Sequence, residues 1–266
     1  MTTCKVIDRY LTIPQGQLFV RQWLPGTQDR LPPLVLLHDS LGCVELWRDF
    51  PESLARTLGR RVIAYDRLGF GQSSARSALP SIDFIAEEAS SYFPSLCQAL
   101  GITDYIVCGH SVGGAMALLI AATDDSCKGV ISVSGQVFVE RRTLEGIRAA
   151  KEAFQDPEQF KKLTKWHRQK TAWVLSAWTD VWLSPEFADW NITAQIRAIN
   201  CPVLAIHGEL DEFGSVAFPE AIVNNVSGIA NMDIVKGCGH VPHRESRPKV
   251  LESIAVFIKN RTQLDT

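Results

Sequence analysis

Short apolar runs rich in β-branched residues and leucine recur along the chain at residues 34–37, 62–65, 105–108, 130–133, 203–206 and 232–235. A strand with one wet face alternates apolar and polar residues, whereas a strand covered on both faces reads as a continuous apolar run. Most of these runs are followed by amphipathic stretches of helical length, at 53–58, 82–100, 113–122, 219–224 and 248–259. The pattern predicts an α/β fold: a mostly parallel sheet covered by helices on both faces. Ahead of it, 10–14 and 17–24 read as antiparallel strands turned at Gln15-Gly16, and Pro94 is expected to kink or split the helix over 82–100.

The alternation lapses between residues 140 and 196, where helical periodicity continues without a strand. Five of the seven tryptophans fall there: Trp166, Trp173, Trp178, Trp182 and Trp190. Val174, Ala177, Trp178 and Val181 follow the i, i+3, i+4, i+7 rule, with Trp173 and Trp182 beside them, and Ser184-Pro185 ends the helix. This predicts a helical insertion, 140–196, in a core made of 1–139 and 197–266. The aromatic face is expected to contact that core, with Trp173, Trp178 and Trp182 bordering a cavity beneath it.

Composition narrows the function. A chain of 266 residues buries enough surface to fold without disulfides or a structural metal. A formal net charge of −2 offers no basic footprint for nucleic acid or an anionic membrane. The longest apolar stretch, 112–122, contains two glycines and is too short to span a bilayer. No apolar run follows a basic start at the N-terminus, so a cytoplasmic location is expected. Seven cysteines, an odd number without a C-x-x-C pair, point to free thiols and no zinc site. The expected partner is a small molecule, with no cofactor and no metal.

The chemistry centres on Val107-Cys108-Gly109-His110-Ser111-Val112-Gly113-Gly114, a G-x-S-x-G between an apolar strand and an apolar helix. A serine on so sharp a turn is held in a strained conformation, and small residues two positions away on either side admit the neighbouring chain. The helix that follows turns its N–H groups and positive dipole end towards the reacting oxygen. Serine needs a base, and the base needs an orienting carboxylate. The run 203–206 ends in His207-Gly208-Glu209-Leu210-Asp211, and 232–235 ends in Lys236-Gly237-Cys238-Gly239-His240. Both leave the carboxyl end of a strand, where open parallel sheets bind ligands. Asp211 is therefore the candidate acid, ahead of Glu209, Glu212 and Glu140, and His240 the candidate base. A surface or supporting role is expected for His243, a structural or solvated one for His207 and His167, and packing beside the serine for His110. Cys108 and Cys238 flank these turns, so alkylation there is expected to inhibit although neither is the nucleophile.

In these features the chain resembles the α/β-hydrolase superfamily, within it the capped, carboxylesterase-like serine hydrolases. Leu36-Leu37-His38-Asp39-Ser40 with Trp47 is similar to the family's H-G-x motif and downstream tryptophan. Asp66-Arg67-Leu68-Gly69-Phe70-Gly71-Gln72-Ser73 is similar to its D-x-R-G-x-G-x-S turn, with Leu68 in the usual arginine's place. The resemblance implies that 140–196 is a cap over the site and that the backbone N–H groups of Ser40 and Val112 form the oxyanion hole. His38 is expected beside the pocket, chiefly fixing its loop. The departure is Asp39, a carboxylate where the family has glycine, next to a site that must stabilise negative charge.

The expected activity is hydrolysis of a carboxylic ester or related small acyl compound through an acyl-enzyme. A C–C bond hydrolase or enol-lactonase of aromatic degradation would use the same three residues. A non-catalytic small-molecule receptor on the same fold is the reading from another class.

Overall fold

The apolar runs become strands whose successive side chains part to opposite faces. Val35 and Leu37 join one core layer and Leu34 and Leu36 the other, all fully buried. In a computed structural model, which describes residues 4–26 and 31–262, the strands are β1 (Lys5–Ile13), β2 (Gly16–Leu24), β3 (Leu34–Leu37), β4 (Val62–Tyr65), β5 (Tyr105–His110), β6 (Cys127–Val133), β7 (Val203–Gly208) and β8 (Ala230–Val235). They form one sheet in the order β1-β2-β4-β3-β5-β6-β7-β8. Only the β1–β2 and β2–β4 pairings are antiparallel. The leading hairpin turns at Pro14-Gln15 rather than Gln15-Gly16, because Gly16, at φ +149, already pairs with Ile13.

The helices are α1 (Phe50–Leu58), α2 (Phe84–Glu87), α3 (Phe93–Leu100), α4 (Val112–Thr123), α5 (Arg141–Ala153), α6 (Pro157–His167), α7 (Thr171–Trp182), α8 (Ala217–Asn225), α9 (Pro242–Glu245) and α10 (Arg247–Thr262). α1 and α10 pack on one face of the sheet; α3 and α4 lie on the other. α4 is apolar all round and buried from Val112 to Ala121, as expected of a helix at the centre of a core. The expected helix over 82–100 is divided into α2 and α3 ahead of Pro94. The ladder widens into a π turn over Glu88–Tyr92 just before α3, which accommodates a residue with no N–H to donate.

α5, α6 and α7 lie between β6 and β7. Where this segment leaves and returns, the chain pairs with itself: Phe138 bridges Asn191, and the Ile192 N–H donates to the Val137 carbonyl at 2.8 Å. Further along, His167 accepts from the Gly71 N–H at 3.0 Å and donates to the Leu41 carbonyl at 2.9 Å. Lys170 donates to the Phe70 carbonyl at 2.9 Å. The helical segment is thus tied to two loops at the carboxyl ends of β3 and β4.

The chain runs from β3 outward to β4 and then back across to β5, so strand order reverses between β3 and β5. Leu37 pairs with Gly109, which brings the ends of these two strands together. A crevice opens at such a switch point, and here it lies between the 38–40 loop and Ser111. Tight turns make this approach possible: a Cβ at Gly109 would overlap the Gly113 carbonyl, and one at Gly113 the Leu37 carbonyl. Gly101 closes α3 at φ +64 with open space around it. Gly101→Ala is therefore expected to fold and to lose roughly 1–2 kcal/mol. Gly109→Ala should lower the melting temperature further, and equal losses in thermal denaturation would contradict this steric account.

Candidate active site

Ser111 sits at φ 56, ψ −126, between β5 and α4 and 5% exposed. Its hydroxyl donates to His240 Nε2 at 2.9 Å. The other ring nitrogen, Nδ1, donates to both Asp211 oxygens, at 2.9 and 2.8 Å. Asp211 also accepts from the Phe213 N–H at 2.8 Å and is nearly inaccessible to water. Burial alone would raise its pKa. The hydrogen bond and charge of His240, the Phe213 N–H and His207 outweigh that and hold the carboxyl below its ordinary range.

The competing acids are occupied elsewhere. Glu209 accepts from the Gly237 N–H, Glu212 from the His240 N–H, and Glu140 from the Ser215 N–H and hydroxyl. Glu245 in α9 accepts from the N–H groups of Gly239 and Val241. Glu212 and Glu245 together fix the backbone around His240, a role the sequence pattern does not announce.

Val112 is the first residue of α4, so its N–H has no acceptor within the helix. The Asp39 carbonyl accepts from His38 Nδ1 at 2.8 Å and from Arg67 Nη2 at 2.9 Å. The peptide between Asp39 and Ser40 is trans, so the Ser40 N–H points away from that carbonyl. His38 accepts the Arg67 N–H on Nε2, which settles the proton on Nδ1. Burial, then the Arg67 charge, push its pKa well below the imidazole range, so this ring is neutral.

A cavity of about 230 Å³ lies over Ser111 and His240. Ile147, Ala150, Phe154, Trp178, Trp182 and Phe213 line its apolar side, and Ser40, Gln136 and Thr143 contribute polar atoms. Two expected lining residues lie outside it. Trp173 turns to the 66–73 loop instead, stacking edge-on with Phe70 at 5.5 Å and donating to the Ala78 carbonyl, because Gly69 leaves room for its ring. His38 is buried behind the loop it anchors.

Gln136 was not foreseen from sequence. A strained turn after β6, with Ser134 at φ 50, presents its Nε2 to Ser111 Oγ at 3.3 Å. Its polarity just ahead of the apolar Val137-Phe138-Val139, three residues past β6, was the available signal.

His110 packs beside the serine as expected. His243 is not on the surface: its ring is buried against Trp47, Phe50 and His110. His167 and His207 are likewise buried rather than solvated. Cys108 is wholly buried and pushed up to about 12 by that burial, and Cys238 is also raised by it, so neither is the exposed thiolate that alkylation requires. No cluster of three or more His, Cys, Asp or Glu side chains suited to a metal occurs among the described residues, and no helix there is long and apolar enough to cross a membrane.

A family profile described as alpha/beta hydrolase fold matches residues 32–243. The chain belongs to the α/β-hydrolase family. It is 29% identical over 129 residues to a proline iminopeptidase of Lactobacillus delbrueckii subsp. lactis, covering 48% of this chain and 43% of that protein. It is 36% identical over 115 residues to the (lyso)-N-acylphosphatidylethanolamine lipase of Homo sapiens, covering 42% of this chain and 32% of that protein. The matched region is thus less than half the length of each of these curated relatives. Among solved structures of this α/β-hydrolase fold, proline iminopeptidase from Mycobacterium smegmatis superposes with a TM-score of 0.71 at 19% identity, over 98% of this chain and 100% of that one. An enol-lactonase from Burkholderia xenovorans LB400 superposes at 0.73 with 16% identity, over 94% and 100%. At such identities the likeness is one of fold.

Four buried histidines, His38, His207 and His243 in the α/β core and His167 in α6, have pKa values held down chiefly by burial. Unfolded, they titrate near ~6.5, so below that pH the unfolded chain binds more protons and stability falls. Asp66, pushed up to about 6 by burial, works in the opposite sense as the pH falls through that value, one group against four. The melting temperature is expected to fall between about pH 7.5 and about pH 6, and less steeply in His167→Gln. A flat profile over this window would contradict the neutral, buried state of these rings.

Proposed function

We propose that the protein is a serine hydrolase that cleaves a small, uncharged carboxylic ester through an acyl-enzyme. The observation that carries this reading is His240 hydrogen-bonded at once to Ser111 and to Asp211 at the floor of an apolar cavity. In this reading Ser111 Oγ attacks the ester carbonyl while His240 Nε2 takes its proton. Asp211 keeps the Nδ1–H tautomer in place and stabilises the imidazolium that forms. The N–H groups of Val112 and Ser40 receive the oxyanion. His240 then returns the proton to the departing alcohol, and water, activated by the same ring, releases the acid and frees Ser111.

The cavity supports a small substrate. Its volume, about 230 Å³, lies below the roughly 300–1,000 Å³ of common ligand pockets. Its apolar side rewards a short aliphatic or aromatic acyl group. A free ammonium group would find one carboxylate among the lining residues, Asp39, whose two oxygens already face the Leu41 N–H and His110. This favours neutral esters over substrates with a charged amine.

A serine-directed fluorophosphonate should label the wild type, with labelling lost in Ser111→Ala and strongly reduced in His240→Ala; an unlabelled wild type would point to a receptor. Asp211→Asn should lower kcat by about four orders of magnitude on a short p-nitrophenyl ester. Ala150→Phe should lower kcat/KM for the butyrate more than for the acetate, because it fills the apolar side. A strong preference for a dienoic ring-fission product over every short ester would replace ester hydrolysis by C–C bond cleavage.

A further inference from the structure

We propose that Asp39 and His110 form a second carboxylate–imidazole pair, net neutral at working pH, that positions the backbone of His240 and keeps negative charge out of the oxyanion site. The proposal rests on the hydrolase reading above and gives a role to the carboxylate that follows His38.

His110 Nε2 lies 2.8 Å from the His240 carbonyl oxygen, and Nδ1 lies 3.2 Å from Asp39 Oδ2. A carbonyl can only accept, so Nε2 carries a hydrogen. The contact between Nδ1 and the carboxylate needs one more. Whichever atom holds it, a carboxylate with an imidazolium or a carboxylic acid with an imidazole, the pair has no net charge. The second carboxylate oxygen, Oδ1, accepts from the Leu41 N–H at 3.0 Å. Asp39 therefore sends its side chain back along the loop and across to His110, while its carbonyl is held by His38 and Arg67 on the other side.

The pair bridges two loops that must stay in register. Asp39 precedes Ser40, a proposed oxyanion donor, and the carbonyl that His110 grips belongs to the proposed base. His110 is 1% exposed, and its ring meets that of His240 at a tilt, with centroids 5.0 Å apart, and that of His243 edge-on at 4.6 Å. The titratable or charged groups facing the pair are His38 and Cys43 from the loop after β3, Arg67 from the loop after β4, His167 from α6, and His240, His243 and Arg244 from the segment leading into α9. Burial would raise the Asp39 pKa, but the His110 hydrogen bond and charge, with His38 and Arg244, outweigh it and hold the carboxyl below its ordinary range. Both His110 ring nitrogens face acceptors, so the shared hydrogen is placed on the ring.

Raising the pH removes the shared proton. His110 then has one hydrogen for two acceptors, and an uncompensated carboxylate sits beside the Ser40 N–H, so kcat should fall along an alkaline limb. The test compares pH profiles of kcat and KM for a short p-nitrophenyl ester in wild type, Asp39→Asn and Asp39→Gly, with ¹⁵N NMR of the His110 ring. An asparagine amide can donate to Nδ1 and has no proton to lose. Asp39→Asn should therefore lack the alkaline limb, and its His110 ring should be singly protonated at neutral pH, whereas the wild-type ring is doubly protonated. Asp39→Gly, without the tether, should lower kcat by about tenfold or more with little change in KM. An alkaline limb in Asp39→Asn that superimposes on the wild type, a singly protonated wild-type ring, or a kcat in Asp39→Gly at or above wild type would each overturn the proposal. If Asp39→Gly fails to fold, Asp39→Asn and the ring spectrum still decide. Failure of the hydrolase reading shows separately as a wild type that fluorophosphonate does not label.

Discussion

The backbone of Ser111 is the constraint on which the rest depends. A non-glycine residue at φ 56, ψ −126 costs on the order of 1–3 kcal/mol and persists only where its surroundings over-determine it. They do so here from several directions. The Ser111 N–H is tied to the Val133 carbonyl at 2.9 Å, and its own carbonyl accepts from Gly114 at 2.8 Å. Gly109 and Gly113 let β5, α4 and the end of β3 approach more closely than any side chain would permit. The central helix, buried on every side, then anchors the turn in the larger core layer. A hydroxyl held this way projects from the sheet, where His240 and the cavity meet it.

Three carboxylates are matched to donors. Asp211 with His240, Asp39 with His110, and Glu88 with Tyr65 each place an acceptor against a donor in surroundings where an unpartnered group is costly. Arg67 links two of these sets: it holds the Asp39 carbonyl, and its charge faces Glu88. The apolar side of the cavity lacks such pairs. That contrast separates a floor suited to moving protons from walls suited to a hydrocarbon group.

Much of this was legible in the sequence, and the exceptions share a cause. Strands β3 and β4 were readable to the residue because double burial leaves an unbroken apolar run. Ser111, Asp211 and His240 were readable because each follows a strand at its carboxyl end. Placement of a side chain among distant segments was not. Trp173 lies on the same helix as Trp178 and Trp182, yet it turns to Gly69 and Phe70, a contact that periodicity within one helix cannot encode. The partnership of Asp39 with His110 spans 71 positions, so at the level of sequence Asp39 reads only as an anomaly. The π turn before Pro94 shows a local rule met by a local adjustment, since proline's missing N–H can be absorbed by register as well as by a kink.

The central claim, an acyl group carried on Ser111, is open to direct observation. Acid-quenching the enzyme during turnover of p-nitrophenyl butyrate, followed by peptide mass spectrometry, should find the peptide containing Ser111 heavier by one butyryl group. The adduct should appear at the rate of the p-nitrophenol burst and decay at the rate of turnover. Steady hydrolysis with no burst and no adduct, or with the adduct on another residue, would contradict the account.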